Sequence, residues 1–213
     1  IVAGFESRLD ETGMIPRSHD ENEWNFFEWT DGMANGCGYD ARKFGKEYAL
    51  PNQAFFIIAL EGYLDCLARA GKRDEKRETL KASLIERADA AFWQEREGRY
   101  ATYLTDGELT HGAEYTQVLA GIARGERRER VLSLLTSSDN GLVGLSLSNY
   151  LYKYDVLLSE GGRFRDFVRA EIERIWGDML YSGATTFYEV QEGADAFYYA
   201  GSLCHGWSAL PVY

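Results

Sequence analysis

The sequence runs to 213 residues, enough for one sizeable hydrophobic core or at most two small ones. Its net charge of -11 and pI near 4.8 argue against a nucleic-acid partner. No apolar run approaches the ~20 residues that a membrane-spanning helix needs, so neither nucleic acid nor membrane is an expected partner.

Proline occurs only 3 times, at positions 16, 51 and 211, so helix can run nearly uninterrupted over most of the chain. From Asn52 to Ala70, apolar residues at 54, 55, 58, 59, 63, 64, 67 and 68 predict a buried amphipathic helix. Pro51 sits at its first turn and Gly71 at its end, as start and stop signals. Residues 73–95 repeat the pattern with a more charged face, their stripe being Leu80, Leu84, Ile85, Ala88, Ala91 and Phe92. The stretch 97–112, EGRYATYLTDGELTHG, reads as turns around a short strand, Tyr100 to Leu104, with an Asp106-Gly107 turn. Helix is expected again over 113–124 and 126–136. A Ser-Asp-Asn-Gly turn at 138–141 leads to helices over 146–158 and 163–180, and the tail from Ser202 reads as a last short helix.

No repeat is visible at solenoid periods, and no Gly-Ser linker or charge block divides the chain. The expected architecture is one all-α domain over residues 1–213. Antiparallel helix hairpins with short strands in their loops fit a bundle or an α/α toroid. Cys37, Cys66 and Cys204 are odd in number and widely spaced, with no CxxC. They predict free buried thiols in a reducing, cytoplasmic setting rather than a disulfide framework or zinc site. The chain begins Ile-Val-Ala-Gly, without Met or a signal-type segment, the pattern expected of a fragment or trimmed product.

The sequence carries no phosphate loop, GxGxxG, HExxH or GxSxG. His19, His111 and His205 are far apart, with no metal-ligating i, i+4 pair. No metal or other cofactor is expected. Carboxylates and aromatics remain. Aromatic residues make up 14% of the chain, which suits a large core or a cleft that stacks on sugar rings. Glycoside hydrolysis needs two carboxyl groups flanking the scissile bond.

Two stretches mix these residue types. EWNFFEWTDG, 23–32, holds Trp24, Glu28, Trp29 and Asp31. SGATTFYEVQEGADAFYYAGSLCHGWSALPVY, 182–213, holds Tyr188, Glu189, His205 and Trp207. Taken singly, each has a structural reading: a buried aromatic loop, a solvated glutamate beside Gln191 and Glu192, and a hydrogen-bonded core histidine.

Together, "GATTFYE" followed by "GSLCHGWSALPVY" resembles the end of the catalytic domain of bacterial α-L-rhamnosidases and their six-hairpin relatives. "FFEW" at 26–29 resembles that family's Phe-Gly-Asp-Trp, and "TQVLA" at 116–120 and "SNYLYKYDVLL" at 148–158 are similar to segments in the same order. The resemblance implies an (α/α)6 barrel, here incomplete, with short β-hairpins in its loops. It implies inverting hydrolysis of a terminal L-rhamnoside, with carbohydrate as the partner. Glu189 then matches the general base. Trp29, Glu28, Asp31, Tyr188, His205 and Trp207 take substrate-contacting positions. Tyr188 stands where the family has Trp, and Phe27-Glu28 stand in place of Gly-Asp. The family's general acid lies in an Asp-Cys-Pro-x-Arg motif that this sequence lacks, so the resemblance places it upstream of Ile1. A missing N-terminal segment or self-association would then cover the barrel. Two alternatives stay open: a non-catalytic carbohydrate-binding or scaffold module, and a six-hairpin hydrolase of uronic-acid oligosaccharides, which would call for a basic or aromatic pocket.

Overall fold

A computed structural model describes residues 1–18, 20, 28, 47–105, 108–110 and 121–212. The chain divides into two compact units, Ile1–Val143 and Gly144–Tyr213.

The first unit is built on an antiparallel helix pair. After the short α1 (Val2–Glu6) come β1 (Glu47–Ala49), α2 (Leu50–Arg69) and α3 (Glu75–Phe92). Pro51 lies in the first turn of α2, where its missing N–H is no loss. Gly71, at φ +67°, closes the helix in a Schellman motif: Lys72 N donates to Leu67 O at 2.8 Å and Gly71 N to Ala68 O at 2.9 Å. The buried face of α2 is Ala54, Phe56, Ile57 and Leu60, whereas Ile58 is exposed. That face is rotated from the predicted stripe, because the first turns are apolar nearly all round and periodicity cannot say which side meets α3. On α3 the buried residues are Leu84, Ala88 and Phe92, all from the predicted stripe. Phe5 of α1 stacks on Phe56, with ring centroids 5.1 Å apart. Arg77 on α3 reaches Glu6 at 2.9 Å.

Asp74 caps α3 by accepting from Arg77 N at 3.1 Å, and the Arg77 guanidinium bonds it at 2.9 Å. The backbone bond from Arg77 leads the causes that hold the Asp74 carboxyl below the usual aspartate range. The contribution of this cap is therefore complete above the ordinary Asp range and is lost as pH falls through the depressed folded value. Asp74→Ala is expected to lower the melting temperature by a few degrees at neutral pH. The gap should close as the pH is lowered through the acid range; a pH-independent gap in thermal melts would contradict the cap.

Beyond α3 come β2 (Trp93–Gln94), β3 (Arg99–Tyr100), β4 (Tyr103–Thr105) and β5 (Glu108–Thr110). β2 and β3 form a hairpin, and β1, β4 and β5 an antiparallel sheet in the order β1-β4-β5, pairing Ala49 with Tyr103 and Tyr103 with Thr110. Residues 14–17 run along the outer side of β1: Arg17 N donates to Glu47 O at 2.8 Å. Gln53, fully buried, clamps this segment by accepting from Ile15 N at 2.9 Å and donating to Ile15 O at 2.7 Å. The Arg17 side chain is fully buried and pairs with Glu47, which also accepts from Thr105 Oγ1. Its guanidinium carbon lies 5.3 Å from the Tyr103 ring centre.

The last helix of this unit is α4 (Gly125–Leu135), which buries Val131, Leu132 and Leu135. The helix expected over 113–124 is not formed at 121–124, where the chain turns and extends. Gly125, at φ +54°, takes a conformation that cannot carry right-handed helix across this point. Residues 113–120 and the expected Asp106-Gly107 turn lie outside the described residues. The turn at 138–141 is present: Asn140 Oδ1 accepts from Leu142 N at 2.8 Å.

The second unit is another helix hairpin, α5 (Tyr150–Leu158) entered by a 3-10 turn at Leu147–Asn149, and α6 (Arg165–Tyr181). Leu147, Tyr154, Leu157, Val168, Ile175, Trp176 and Met179 form its core. Lys153 is buried beside Glu171, Nζ to Oε1 3.1 Å. The tail forms two 3-10 turns, Gly206–Ser208 and Leu210–Val212, instead of the expected short helix. Pro211 lacks the N–H that an α-helical ladder needs there.

The described residues are thus helix-rich with two small sheets, and no barrel closes among them. Cys66 and Cys204 are exposed, against the expectation of burial. Cys66 lies on the outer side of α2 and Cys204 on the exposed return of the tail. No helix among the described residues is long and apolar enough to cross a membrane.

Candidate active site

The second unit brings together three residues singled out in the sequence, Glu189, His205 and Trp207. After α6, the β-prone run 185–188 draws the chain out, and it pairs with the returning segment 202–205. Glu189 N donates to Ser202 O at 2.8 Å, His205 N donates to Phe187 O at 2.9 Å, and Thr186 Oγ1 donates to Leu203 O. This pairing sets Glu189 opposite Ser202 and places His205 and Trp207 on the same short return.

The backbone carbonyl of Glu189 is the junction. It accepts from Trp207 Nε1 at 3.2 Å and from Ser208 Oγ at 3.3 Å. Ser208 is buried, and its own carbonyl accepts from Trp176 Nε1 of α6 at 2.7 Å. The tail is therefore pinned to the core through a buried tryptophan. The Glu189 side chain is half-buried, with Oε2 accepting from Ser202 N at 3.3 Å. The His205 ring lies over Trp207, centroids 4.2 Å apart and tilted by 33°. His205 Nδ1 is buried and has no hydrogen-bond partner among the described residues. His205 is therefore not a satisfied core histidine, and Glu189 is partly exposed.

A segment that carries a carboxylate, an imidazole and an indole face has groups that can accept a proton, bind a hydroxyl and stack on an apolar sugar face. Tyr188 is engaged differently, since its ring packs on Gly193, where an added Cβ would come within 2.9 Å of Tyr188 Cδ2. Glu28 belongs to the first unit and is fully buried. Trp29 and Asp31 lie outside the described residues.

Sequence reasoning missed the loop between Glu189 and Ser202. Phe197, Tyr198 and Tyr199 have φ of 52°, 58° and 67°, three consecutive left-handed residues with side chains, each costing about 1–2 kcal/mol relative to right-handed backbone. Nothing in the local sequence announces it, because Gly or Asn is the usual signal of this conformation. Gly201 closes the loop tightly: an added Cβ would meet Gly193 O at 1.9 Å. Trp176 and Ser208 were also missed, since their role appears only once the tail returns to α6.

In the first unit, a depression of about 290 Å³ is lined by Trp93, Glu95, Arg96, Gly98, Glu126, Arg127 and Arg130. Arg127 covers the Trp93 ring at 4.8 Å and pairs with Asp89 at 2.8 Å, so its aromatic floor is already occupied. Among the described residues no group of three or more His, Cys, Asp or Glu side chains is placed to hold a metal ion.

No protein-family model matches the sequence, and no curated protein does. Solved structures do match. The chain is similar over 100% of its length to 22% of a GH78 family rhamnosidase of Bacillus sp. GL1, with a TM-score of 0.78 and 25% identity. It is similar over 99% of its length to 39% of a rhamnosidase from Klebsiella oxytoca with rhamnose bound, with a TM-score of 0.72 and 21% identity. The chain spans well under half of either protein and shares the fold of those segments.

Proposed function

We propose that the chain is part of the catalytic domain of an α-L-rhamnosidase-like inverting glycosidase, with Glu189 as the general base. The observation that carries this reading is the convergence of Glu189, His205 and Trp207 through the carbonyl of Glu189. The fold likeness to two rhamnosidases supports it. The helix hairpins are then pieces of an incomplete (α/α)6 toroid. Glu189 takes a proton from water as that water attacks the anomeric carbon, and inversion requires the partner acid to stand ~6.5–9.5 Å away. On the family pattern that acid comes from the Asp-Cys-Pro-x-Arg segment absent from this sequence. His205 and Trp207 hold the sugar, the indole against its apolar face and the imidazole toward a hydroxyl.

In the enzyme that carries this chain, Glu189→Gln is expected to lower turnover of an α-L-rhamnoside by about 10²-fold or more. Circular dichroism should be unchanged, because the bonds from Trp207 and Ser208 end on the backbone carbonyl of residue 189. Near-parental turnover would remove Glu189 from the mechanism.

A further inference from the structure

The backbone of His205 is fixed on both sides. Its N–H donates to Phe187 O at 2.9 Å, and its carbonyl accepts from Ser208 N at 3.2 Å. The ring is not held in the same way. Nδ1 is buried and has no hydrogen-bond partner among the described residues, although a functional imidazole is commonly oriented by a bond to that nitrogen. The outer torsion of a histidine side chain is broad and roughly two-fold. The backbone alone therefore leaves the plane of this ring undetermined.

The indole of Trp207 supplies what is missing. Trp207 lies in the 3-10 turn Gly206–Ser208, just past His205. Its ring centre is 4.2 Å from that of the imidazole, with the planes tilted by 33°, within the range of a stacked pair. The indole is itself anchored, because Nε1 donates to Glu189 O at 3.2 Å. The same carbonyl accepts from Ser208 Oγ, and Ser208 is buried with its own carbonyl on Trp176 Nε1 at 2.7 Å. On its other side the Glu189 N–H donates to Ser202 O at 2.8 Å, and Glu189 Oε2 accepts from Ser202 N at 3.3 Å. Indole and carboxylate are thus both referred to residue 189, and the imidazole takes its plane from the indole.

We propose that Trp207 is a positioning residue, holding the His205 ring in a fixed plane relative to Glu189. This role is additional to any contact of the indole with sugar. The proposal rests on the glycosidase reading and assigns within it the group that orients the imidazole.

Two measurements test it. This chain has three histidines, so the His205 ring can be followed by NMR relaxation of labelled histidine. The ring should be ordered in the parent and mobile on the ps–ns timescale in Trp207→Leu, which keeps apolar bulk without a flat face. In the enzyme that carries this chain, Trp207→Leu should lower kcat/KM for an α-L-rhamnoside about tenfold. In a His205→Ala background the same substitution should cost less than about twofold, because its effect passes through the imidazole. Trp207→Phe keeps a flat face but loses the N–H anchor, so it should lie between the parent and Trp207→Leu in both measurements. Trp207→Met repeats the comparison if circular dichroism shows that the leucine variant unfolds. A ring as ordered in Trp207→Leu as in the parent would overturn the positioning role. So would an equal loss of kcat/KM with and without His205, the mark of a direct sugar contact or of general damage to the fold. A parent enzyme without α-L-rhamnoside turnover would overturn the glycosidase reading and the proposal with it.

Discussion

Replacing Glu47 with alanine is expected to destabilise the first unit by about 3–5 kcal/mol, measured by denaturant unfolding. Glu47 pairs with Arg17, whose side chain is fully buried, and it also accepts from Thr105 on the neighbouring strand. Truncation removes this carboxylate from beside a fully buried guanidinium, which lies over the Tyr103 ring. The bond joins residues 14–17 to the sheet, so the loss is also a loss of an edge. Breaking a buried pair is more damaging than replacing it whole. The double variant Arg17→Met/Glu47→Leu should therefore regain most of what Glu47→Ala loses. A single variant that costs less than about 1 kcal/mol would mean that the pair is solvated.

Trp176→Ala is the second large effect, expected to cost about 3–5 kcal/mol in the second unit. Trp176 is 2% exposed, lies edge-on to Tyr150 with centroids 5.7 Å apart, and donates to Ser208 O. Trp176→Phe separates the two contributions. It keeps most of the apolar volume and loses only the donor, for about 1–2 kcal/mol. Because Ser208 in turn bonds the Glu189 carbonyl, both variants should also shift the tail resonances of His205 and Trp207. Shifts confined to the α5–α6 contact would show that the tail is held independently of Trp176.

Local signals account for what was legible. Pro51 and Gly71 bracket α2 because each acts through its own backbone, and the Asn140-Gly141 turn follows from a side chain reaching two residues along. The helix expected at 121–124 failed at Gly125, whose φ sign composition alone does not reveal. The sheet was hidden for a different reason: β1 pairs with β4, and nothing within three residues of Glu47 specifies a strand so far along the chain. A buried Arg17 runs against the general exposure of arginine, and only the tertiary partner explains it. At the candidate site, family likeness grouped Glu189 with His205 and Trp207. No periodicity could have done so, since the return of the chain depends on a left-handed aromatic turn that intrinsic preference opposes.

The junction at Glu189 has a consequence for descent. The tail is assembled on the carbonyl of that residue, while the proposed chemistry belongs to its side chain, and among the described residues the 3.3 Å bond from Ser202 N is the hydrogen bond that joins the two. Form and reactivity are therefore separately mutable at one position. A lineage that exchanged the carboxylate for an amide would keep the tail, the stacked imidazole and indole, and the outward shape of the site. Among homologues, an intact tail therefore reports ancestry, and only the identity of the side chain at this position bears on whether the ancestral reaction is still performed.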